Sequence, residues 1–331
     1  MNTILFITSS RIGDAVLTTG VLSHIHQYFP ECLVTIAADP LSASLFQEYP
    51  LLDKLIIFSK QKYSRHWLAL RREVKHHPWD WIIDLRGSLI SYTLKCQKRS
   101  IWHQTKNDSR HKVEQICRLL NIPLTAPTLW HSQDQHEKAE ALLPDGFSYL
   151  ALAPAANWIG KQWPIERFTR IAQHFCERYK DTKIVLIAAP HEESMVAPLI
   201  KGTPSNRLIN LVNKNLDLGQ IGACLKRCQL FLGNDSGLMH MAAALEVPTI
   251  GLFGPSKEEN YGPFDNLLLR EGKAINKVVR IPQTYHQLKA TSGFSLKSKD
   301  SYMKGLTLDA VWKILKEQWE KHISLNPYRP Y

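Results

Sequence analysis

Short apolar stretches alternate with amphipathic stretches along most of the chain, and this alternation constrains the fold more than any other feature. Apolar runs of strand length occupy residues 3–8, 33–38, 54–58 and 81–84. The stretch 14–28 places Val16, Leu17 and Val21 on one helical face. Because continuous apolar strands separated by helices are typical of a parallel sheet covered on both faces, the pattern predicts an α/β fold.

The same alternation restarts in the second half of the chain. A break at Pro144-Asp-Gly146 is followed by apolar runs at 149–153, 183–188, 230–233 and 247–253. At roughly 150 residues per domain, 331 residues make about two domains. We predict Rossmann-like domains at 1–146 and 147–306, and a final helix within 307–331 that packs back on the first domain. Residues 41–48 are expected to be helical and residues 95–110 irregular.

The positive charge of the chain is concentrated in two segments. The formal net charge is +11. Residues 60–118 contain 14 Lys and Arg against 5 Asp and Glu, and residues 270–304 contain 8 against 2. This distribution favours a polyanionic partner, which is a nucleic acid, an anionic membrane face or a phosphorylated substrate. Solvated surface charge without a partner is the alternative.

Several classes of protein are excluded by what the sequence does not contain. There is no Gly-x-Gly-x-x-Gly after the first strand, no phosphate-binding loop of the Gly-x4-Gly-Lys type and no His-Glu-x-x-His. No apolar window approaches the roughly 18 residues of a membrane span, and the N-terminus does not resemble a signal peptide. The six cysteines form no Cys-x-x-Cys pair, which favours free thiols over a zinc site or disulfides. We therefore expect a cytoplasmic protein.

The turn after the first strand carries the most suggestive polar group. It reads Thr8-Ser-Ser-Arg-Ile-Gly-Asp14 and leads into the first helix. Ligands of open α/β sheets bind beyond the carboxyl ends of strands, so a carboxylate at this position can act as a general base. The alternative is a structural role for Asp14 as the cap of the helix.

A second polar turn follows the strand at 230–233. The segment Gly233-Asn-Asp-Ser-Gly-Leu-Met-His240 leads from that strand into a helix. Backbone N–H groups at a helix start, together with the Ser236 hydroxyl, form a phosphate site. His240 falls about one turn inside the helix, where it either donates to a ligand or packs in the core.

Two further polar segments each follow a strand. Lys161 lies in Asn157-Trp-Ile-Gly-Lys-Gln-Trp-Pro164 and is either a phosphate ligand or a solvated lysine. The segment Ala189-Pro-His-Glu-Glu193 places a carboxylate where nucleotide folds bind ribose. The alternative for these acids is a favourable charge at a helix N-terminus.

Taken together, these motifs resemble those of the lipopolysaccharide heptosyltransferases, the bacterial glycosyltransferase family 9. The resemblance rests on Arg11-Ile-Gly-Asp14, on Asp235-Ser-Gly-Leu-Met-His240 and on Phe253-Gly-Pro-Ser256, which occur in order over nearly the whole chain. The segments Lys161-Gln-Trp-Pro164 and Pro190-His-Glu-Glu193 resemble heptosyltransferase I in particular. The family implies a GT-B fold, in which two Rossmann-like domains face each other across a cleft.

The resemblance also implies roles for individual residues. Asp14 is the expected catalytic base. The donor-binding residues are expected to be Lys161, Glu192, Asp235, Ser236, Gly237 and His240, with Glu193 as the alternative to Glu192. The acceptor-binding residues are expected to be Ser10, Arg11, Arg86, Arg110 and Lys112. The family implies no metal and no cofactor beyond the sugar donor.

The implied reaction is the inverting transfer of a heptose from ADP-heptose to an acidic acceptor, Kdo or heptose, of the lipopolysaccharide inner core. The expected partners are the nucleotide sugar, the anionic lipid precursor and the inner face of the cytoplasmic membrane, with no nucleic acid. One alternative is a glycosyltransferase of the same fold with another nucleotide sugar or acceptor. A nucleic-acid-binding protein and an inactive nucleotide-sugar sensor are alternatives from other classes, although no nucleic-acid recognition motif is present.

Overall fold

In a computed structural model of the chain, residues 2–62, 65–103 and 108–325 are described. The chain divides into two compact units, Met1–Ser132 and Gln133–Tyr331. The boundary therefore precedes the predicted one at 146/147. The difference arises because helix α4 (Gln133–Leu142) packs on helix α7 (Leu218–Lys226) of the second unit. The segment after α4 is held there too, since the Arg227 Nε donates to the Leu143 carbonyl at 2.8 Å.

The first unit contains a five-stranded parallel sheet in the order β3-β2-β1-β4-β5. Three helices accompany these strands. The strands are β1 (Thr3–Ile7), β2 (Leu33–Ala38), β3 (Leu52–Ile57), β4 (Trp79–Asp84) and β5 (Cys96–Ile101), and the helices are α1 (Ile12–Tyr28), α2 (Arg65–Val74) and α3 (Lys112–Leu120). Strand β1 lies at the centre because all of its residues from Ile4 to Ile7 are apolar and fully buried.

Two elements of the first unit differ from the sequence prediction. Within the segment expected to be irregular, residues 96–101 form β5, which pairs with β4 at the edge of the sheet. The exposed Gln97, Lys98 and Arg99 interrupt its apolar pattern, so the strand is not visible as an apolar run. Charged side chains are typical of edge strands. Residues 104–107 lie outside the described part of the chain. The helix expected at 41–48 is a single 3-10 turn, Ala43–Phe46.

The second unit contains a six-stranded parallel sheet in the order β11-β10-β9-β6-β7-β8. Its strands are β6 (Ser148–Ala153), β7 (Thr182–Leu186), β8 (Leu208–Asn210), β9 (Leu230–Asn234), β10 (Thr249–Phe253) and β11 (Lys277–Arg280). Besides α4 and α7, its helices are α5 (Ile165–Arg178), α6 (Glu193–Gly202), α8 (Gly237–Ala244), α9 (Glu258–Tyr261), α10 (Asn266–Glu271), α11 (Tyr285–Ala290) and α12 (Leu308–Leu325). The predicted α/β fold class is thus confirmed in both units.

The last helix packs differently from our expectation. We expected it to return to the first domain, but the buried Val311, Leu315 and Trp319 of α12 belong to the core of the second unit. The Trp319 ring meets the Phe175 ring of α5 edge-on at 4.5 Å between centroids. The apolar stripe of α12 is therefore buried against the sheet of the second unit and against α5. Residues 326–331 of the predicted range lie outside the described residues.

Two further observations bear on the sequence predictions. The six cysteines are free thiols, and five of them are buried. Over residues 2–62, 65–103 and 108–325, none of the helices has the length and apolar character needed to traverse a bilayer.

Candidate active site

The carboxyl ends of β1 and β4 form the candidate ligand site of the first unit. The order 3-2-1-4-5 reverses between these two strands, and open α/β sheets bind ligands at such a reversal. The predicted residues Ser10, Arg11 and Asp14 follow β1, and Arg86 follows β4. The topology therefore brings these polar groups to one edge of the sheet.

Asp14 lies in the first turn of α1, half-buried. The helix begins at Ile12, and Arg11 is its N-cap residue with extended backbone angles (φ −96°, ψ 137°). Asp14 is therefore not the cap that the sequence left open as an alternative. A carboxylate in the first turn is still favoured by the helix dipole. Ser10 is half-buried in the preceding turn, whereas Arg11 is exposed.

Lys112 is the predicted acceptor residue that the structure brings close to Asp14. It is the first residue of α3, which packs on α1, and its Nζ lies 3.2 Å from the centroid of the Trp102 ring. Burial lowers the pKa of Lys112 from 10.5 to about 8, against the attraction of the Asp14 carboxylate, which raises it. The site thus combines a carboxylate with an ammonium group that titrates near neutral pH.

A buried carboxylate fixes the turn that carries Arg86. Asp84 ends β4 and is fully buried. Its Oδ1 accepts from the backbone N–H groups of Arg86 and Gly87, each at 3.0 Å, and its Oδ2 accepts from the Ser88 N–H at 2.9 Å and the Ser91 hydroxyl at 2.6 Å. Gly87 has φ +70°, a left-handed conformation that favours glycine. The turn is therefore rigid.

The Arg86 guanidinium lies beside two adjacent aromatic rings, whose centroids are 5.2 Å apart. Its central carbon is 5.0 Å from the Phe58 centroid and 5.1 Å from the Trp67 centroid. Burial lowers the pKa of Arg86, while Asp39 and Asp84 raise it. Within the described part of the chain, its Nη1 has no hydrogen-bond partner. A stacked guanidinium whose donors are not consumed by a protein carboxylate is suited to an anionic group of a ligand.

Arg110 is paired within its own loop. Its Nε and Nη2 donate to the two oxygens of Asp108 at 2.8 Å and 2.6 Å, in a bidentate arrangement. The hydrogen bonds from Arg110 hold the pKa of Asp108 down at about 2 and raise the pKa of Arg110. Arg110 therefore meets any anionic ligand as part of an ion pair rather than as a lone cation.

In the second unit the strand order reverses between β6 and β9, and predicted donor residues follow both strands. Lys161 lies in a 3-10 turn after β6, and Asp235 follows β9 directly. The Lys161 Nζ lies 2.5 Å from the Asp235 Oδ2, and the two side chains are 25% and 5% exposed. The structure therefore joins two of the predicted donor residues in one ion pair.

Asn234, the last residue of β9, fixes the segment after β6 that carries Lys161. Its Oδ1 accepts from the Trp163 backbone N–H at 3.1 Å, and its Nδ2 donates to the Pro154 carbonyl at 2.6 Å. Because Asn234 is fully buried, both bonds are protected from water. Asn234 was not among the residues predicted from the sequence, although its position between a buried strand and a polar turn was a usable signal.

The start of α8 has the form of an anion site. Ser236 is its N-cap residue and Gly237 its first residue. The Ser236 hydroxyl is buried and has no hydrogen-bond partner within the described residues. Backbone N–H groups of a first helical turn are unpaired within the helix, so the hydroxyl and these groups can bind a phosphate together. His240 is buried one turn further along α8.

The two acids after β7 have different environments. The Glu192 Oε2 accepts from the Ala189 backbone N–H at 2.8 Å, so Glu192 closes a local turn before α6. Glu193 is exposed at the first position of α6. The alternative, acids at a helix N-terminus, thus describes both residues in this structure, and a contact between either acid and a ribose stays a prediction. In the described ranges, no group of three or more His, Cys, Asp and Glu could hold a metal ion.

Each unit thus has polar groups at the carboxyl ends of its parallel strands, a carboxylate in the first and an anion site in the second, as is typical of nucleotide-binding α/β proteins. Comparison with known proteins makes this specific. The family model for glycosyltransferase family 9 (heptosyltransferase) matches residues 100–277. The chain therefore belongs to glycosyltransferase family 9, and the two Rossmann-like sheets are those of its GT-B fold, as predicted.

Similar proteins cover most of the chain. Lipooligosaccharide heptosyltransferase 2 of Campylobacter jejuni is 25% identical over an alignment of 265 residues, and the match covers 77% of this chain and 82% of that protein. The crystal structure of a family 9 glycosyl transferase from Veillonella parvula has a TM-score of 0.78 at 20% identity, covering 97% of each chain. The structure of Escherichia coli ADP-heptose lps heptosyltransferase II has a TM-score of 0.75 at 17% identity, covering 97% of this chain and 99% of that one.

Proposed function

We propose that this glycosyltransferase moves a heptose from ADP-heptose to an acidic acceptor, Kdo or heptose, of the lipopolysaccharide inner core, with inversion at the anomeric carbon. The observation that carries the proposal is the half-buried Asp14 in the first turn of α1, beside Lys112 at the carboxyl edge of the sheet. The names of the similar Campylobacter and E. coli proteins support the substrate class.

Asp14 is the proposed general base. An acceptor hydroxyl is a poor nucleophile at neutral pH, and a positioned carboxylate that takes its proton accelerates attack by roughly 10²–10⁴-fold. The hydroxyl oxygen forms the new bond to the anomeric carbon as the bond to the ADP oxygen breaks, through an oxocarbenium-like state. One base and one displacement invert the configuration at that carbon.

The donor-side residues are proposed to stabilise the departing ADP. Its developing charge is met by the N–H groups and hydroxyl at the start of α8 and by Lys161. Lys161 is bound to Asp235 at 2.5 Å, and we propose that it exchanges this carboxylate for the pyrophosphate when the donor binds. Asp235 then becomes available to a sugar hydroxyl of the heptose. We propose that His240 and Glu192 complete the site and that no metal is required.

The acceptor-side residues are proposed to bind acidic groups. Arg86, beside Phe58 and Trp67, and Lys112, above Trp102, each present a cation on an aromatic surface. Such partly desolvated cations bind a carboxylate or phosphate more strongly than solvated ones. Ser10, Arg11 and Arg110 are proposed to contribute around them.

The acceptor is part of a membrane lipid, so we propose that the enzyme is cytoplasmic and associates peripherally with the inner face of the cytoplasmic membrane. The 14 basic residues of segment 60–118 favour an anionic surface. Reversing the charge of Arg65, Arg71 and Arg72 together is expected to abolish sedimentation with anionic vesicles. Unchanged sedimentation would contradict the proposed association.

A donor-competition assay tests the substrate assignment. ADP release is measured with ADP-heptose, with a lipid A–Kdo acceptor present and absent, and with EDTA added. Other ADP- and UDP-sugars are then offered as competitors. We expect acceptor-dependent, EDTA-resistant release that only ADP-heptose supports. Equal turnover of another nucleotide sugar would favour the alternative, a same-fold enzyme with a different donor.

A further inference from the structure

Three large apolar side chains of the first unit are exposed on two neighbouring elements. Leu68 of α2 is 58% exposed, and Leu89 and Tyr92 of the 3-10 helix Leu89–Thr93 are 82% and 65% exposed. The two elements are in contact, and the Arg71 Nε donates to the Thr93 hydroxyl at 3.0 Å. We call these three residues the apolar patch.

The 3-10 helix presents Leu89 and Tyr92 in a fixed orientation. In a 3-10 helix residues i and i+3 eclipse one another, so these two side chains share one face. Ile90 and Ser91 between them are buried, and the Ser91 hydroxyl is bound to Asp84 at 2.6 Å. Burial of the intervening residues therefore forces the two large apolar side chains outward.

Helix α2 repeats the arrangement. Its buried face consists of His66, Leu70 and Val74. Its exposed face carries Leu68 between Arg65 and Arg72, at positions separated by three and four residues. Arginines beside exposed apolar side chains also occur in amphipathic helices that lie at a membrane surface.

Cations surround the apolar patch. Arg99 is held beside the 3-10 helix, since its Nε and Nη2 donate to the Ser91 and Leu94 carbonyls at 2.8 Å and 2.7 Å. Its guanidinium lies 6.0 Å from the Tyr92 centroid. Lys95, the next residue after Leu94, is exposed. The one acidic residue of α2, Glu73, is paired with Lys54 at 3.1 Å.

We propose that Leu89, Tyr92 and Leu68 insert into the headgroup region of an anionic bilayer, with the surrounding arginines and lysine on the phosphates. This inference rests on the proposed membrane association and adds an apolar anchor to the electrostatic attraction. Charge complementarity decides for a lipid surface, because the apolar side chains stand among cations. Tyrosine also suits the interface, where its ring is buried and its hydroxyl stays hydrated.

The first test is vesicle binding by a double variant, Leu89→Ser with Tyr92→Ser. The matched control combines Tyr28→Ser with Leu33→Ser, because these side chains are 55% and 54% exposed and lie outside both basic segments. Binding is measured with vesicles of phosphatidylethanolamine and phosphatidylglycerol, at low and at high salt. We expect at least a tenfold weaker partition for the double variant, as full burial of one leucine contributes on that scale. The control variant should bind as the wild type does.

The second test reports insertion directly. A Leu89→Cys variant carries an environment-sensitive fluorophore in a Cys96→Ser background, since the other five cysteines are buried. A Tyr28→Cys variant in the same background is the control, because Tyr28 is 55% exposed and lies outside both basic segments. We expect the fluorophore at position 89, and not at 28, to gain intensity when anionic vesicles are added.

Three outcomes would overturn the inference. Binding by the double variant equal to that of the control would leave charge as the sole attraction, and the proposed association would survive without the anchor. Dissociation of an oligomer by the serine substitutions, with vesicle binding unchanged, would identify a second copy of the chain as the occupant. No binding by the wild type at any salt would remove both the anchor and the proposed association.

Discussion

The titration of Lys112 gives the account a quantitative prediction. Its pKa is lowered to about 8 by burial, so at pH 7 about nine-tenths of the molecules carry the charge and at pH 9 about one-tenth. If the ammonium form binds the acidic acceptor, the acceptor KM rises roughly ninefold between these values. The KM for the sugar donor should remain constant over the same range, because Lys112 belongs to the acceptor side.

As pH rises, the contribution of Lys112 to stability changes in the opposite direction to acceptor binding. The two effects can therefore be separated. The folded-state pKa of Lys112 lies below the ordinary value of 10.5, so between about pH 8 and 10.5 the unfolded chain binds more protons than the folded one. The contribution of Lys112 to the free energy of unfolding therefore increases as pH rises through this window. A loss of acceptor affinity above pH 8 cannot then be attributed to this residue destabilising the fold.

The assay compares steady-state kinetics at pH 7 and 9 for the wild type, Lys112→Arg and Lys98→Arg. Arginine stays charged throughout, so Lys112→Arg should have an acceptor KM that does not vary with pH. Lys98 is the control because it is an exposed lysine 3.8 Å from the centroid of the Trp81 ring. A ninefold rise that persists in Lys112→Arg would refute the assignment.

Three further substitutions test other parts of the account. Asp84→Asn should lower the free energy of unfolding by about 2 kcal/mol and raise the acceptor KM, because it weakens the bonds that fix the Arg86 turn. An acceptor KM equal to that of the wild type in kinetic assays would contradict this. Asp235→Asn should bind ADP about threefold more tightly, since Lys161 loses a competing carboxylate, and calorimetry showing weaker binding would contradict it. Trp319→Ala should cost about 3–5 kcal/mol in chemical unfolding, whereas a cost under 1 kcal/mol would show that α12 is peripheral.

Much of the fold follows from sequence because most strands are continuous apolar runs. Strand β2 occurs with the bounds expected, Leu33–Ala38. Strand β5 was missed because an edge strand needs only one covered face, and its exposed residues are polar. The partner of α12 was missed for a different reason. An apolar stripe shows that a helix is buried but does not identify the surface that buries it.

The candidate site, too, could be predicted from the sequence only in part. Asp14, Lys161 and Asp235 could be chosen from sequence because each follows a strand in a polar turn. The Asp84 network and the contact of Arg86 with the Phe58 and Trp67 rings could not, because they join side chains from separate elements. The orientation of the Glu192 side chain could not be predicted from the sequence either, because a carboxylate before a helix can point toward a ligand or toward its own backbone. Here it accepts from Ala189.

The central claim is that Asp14 removes the proton from an acceptor hydroxyl. The most direct test is ADP release from ADP-heptose, with and without the lipid A–Kdo acceptor, by the wild type and Asp14→Asn. The account predicts acceptor-dependent release by the wild type and a loss of roughly 10²–10⁴-fold in kcat for the variant, with donor binding retained. Acceptor-dependent release by Asp14→Asn at the wild-type rate would contradict it.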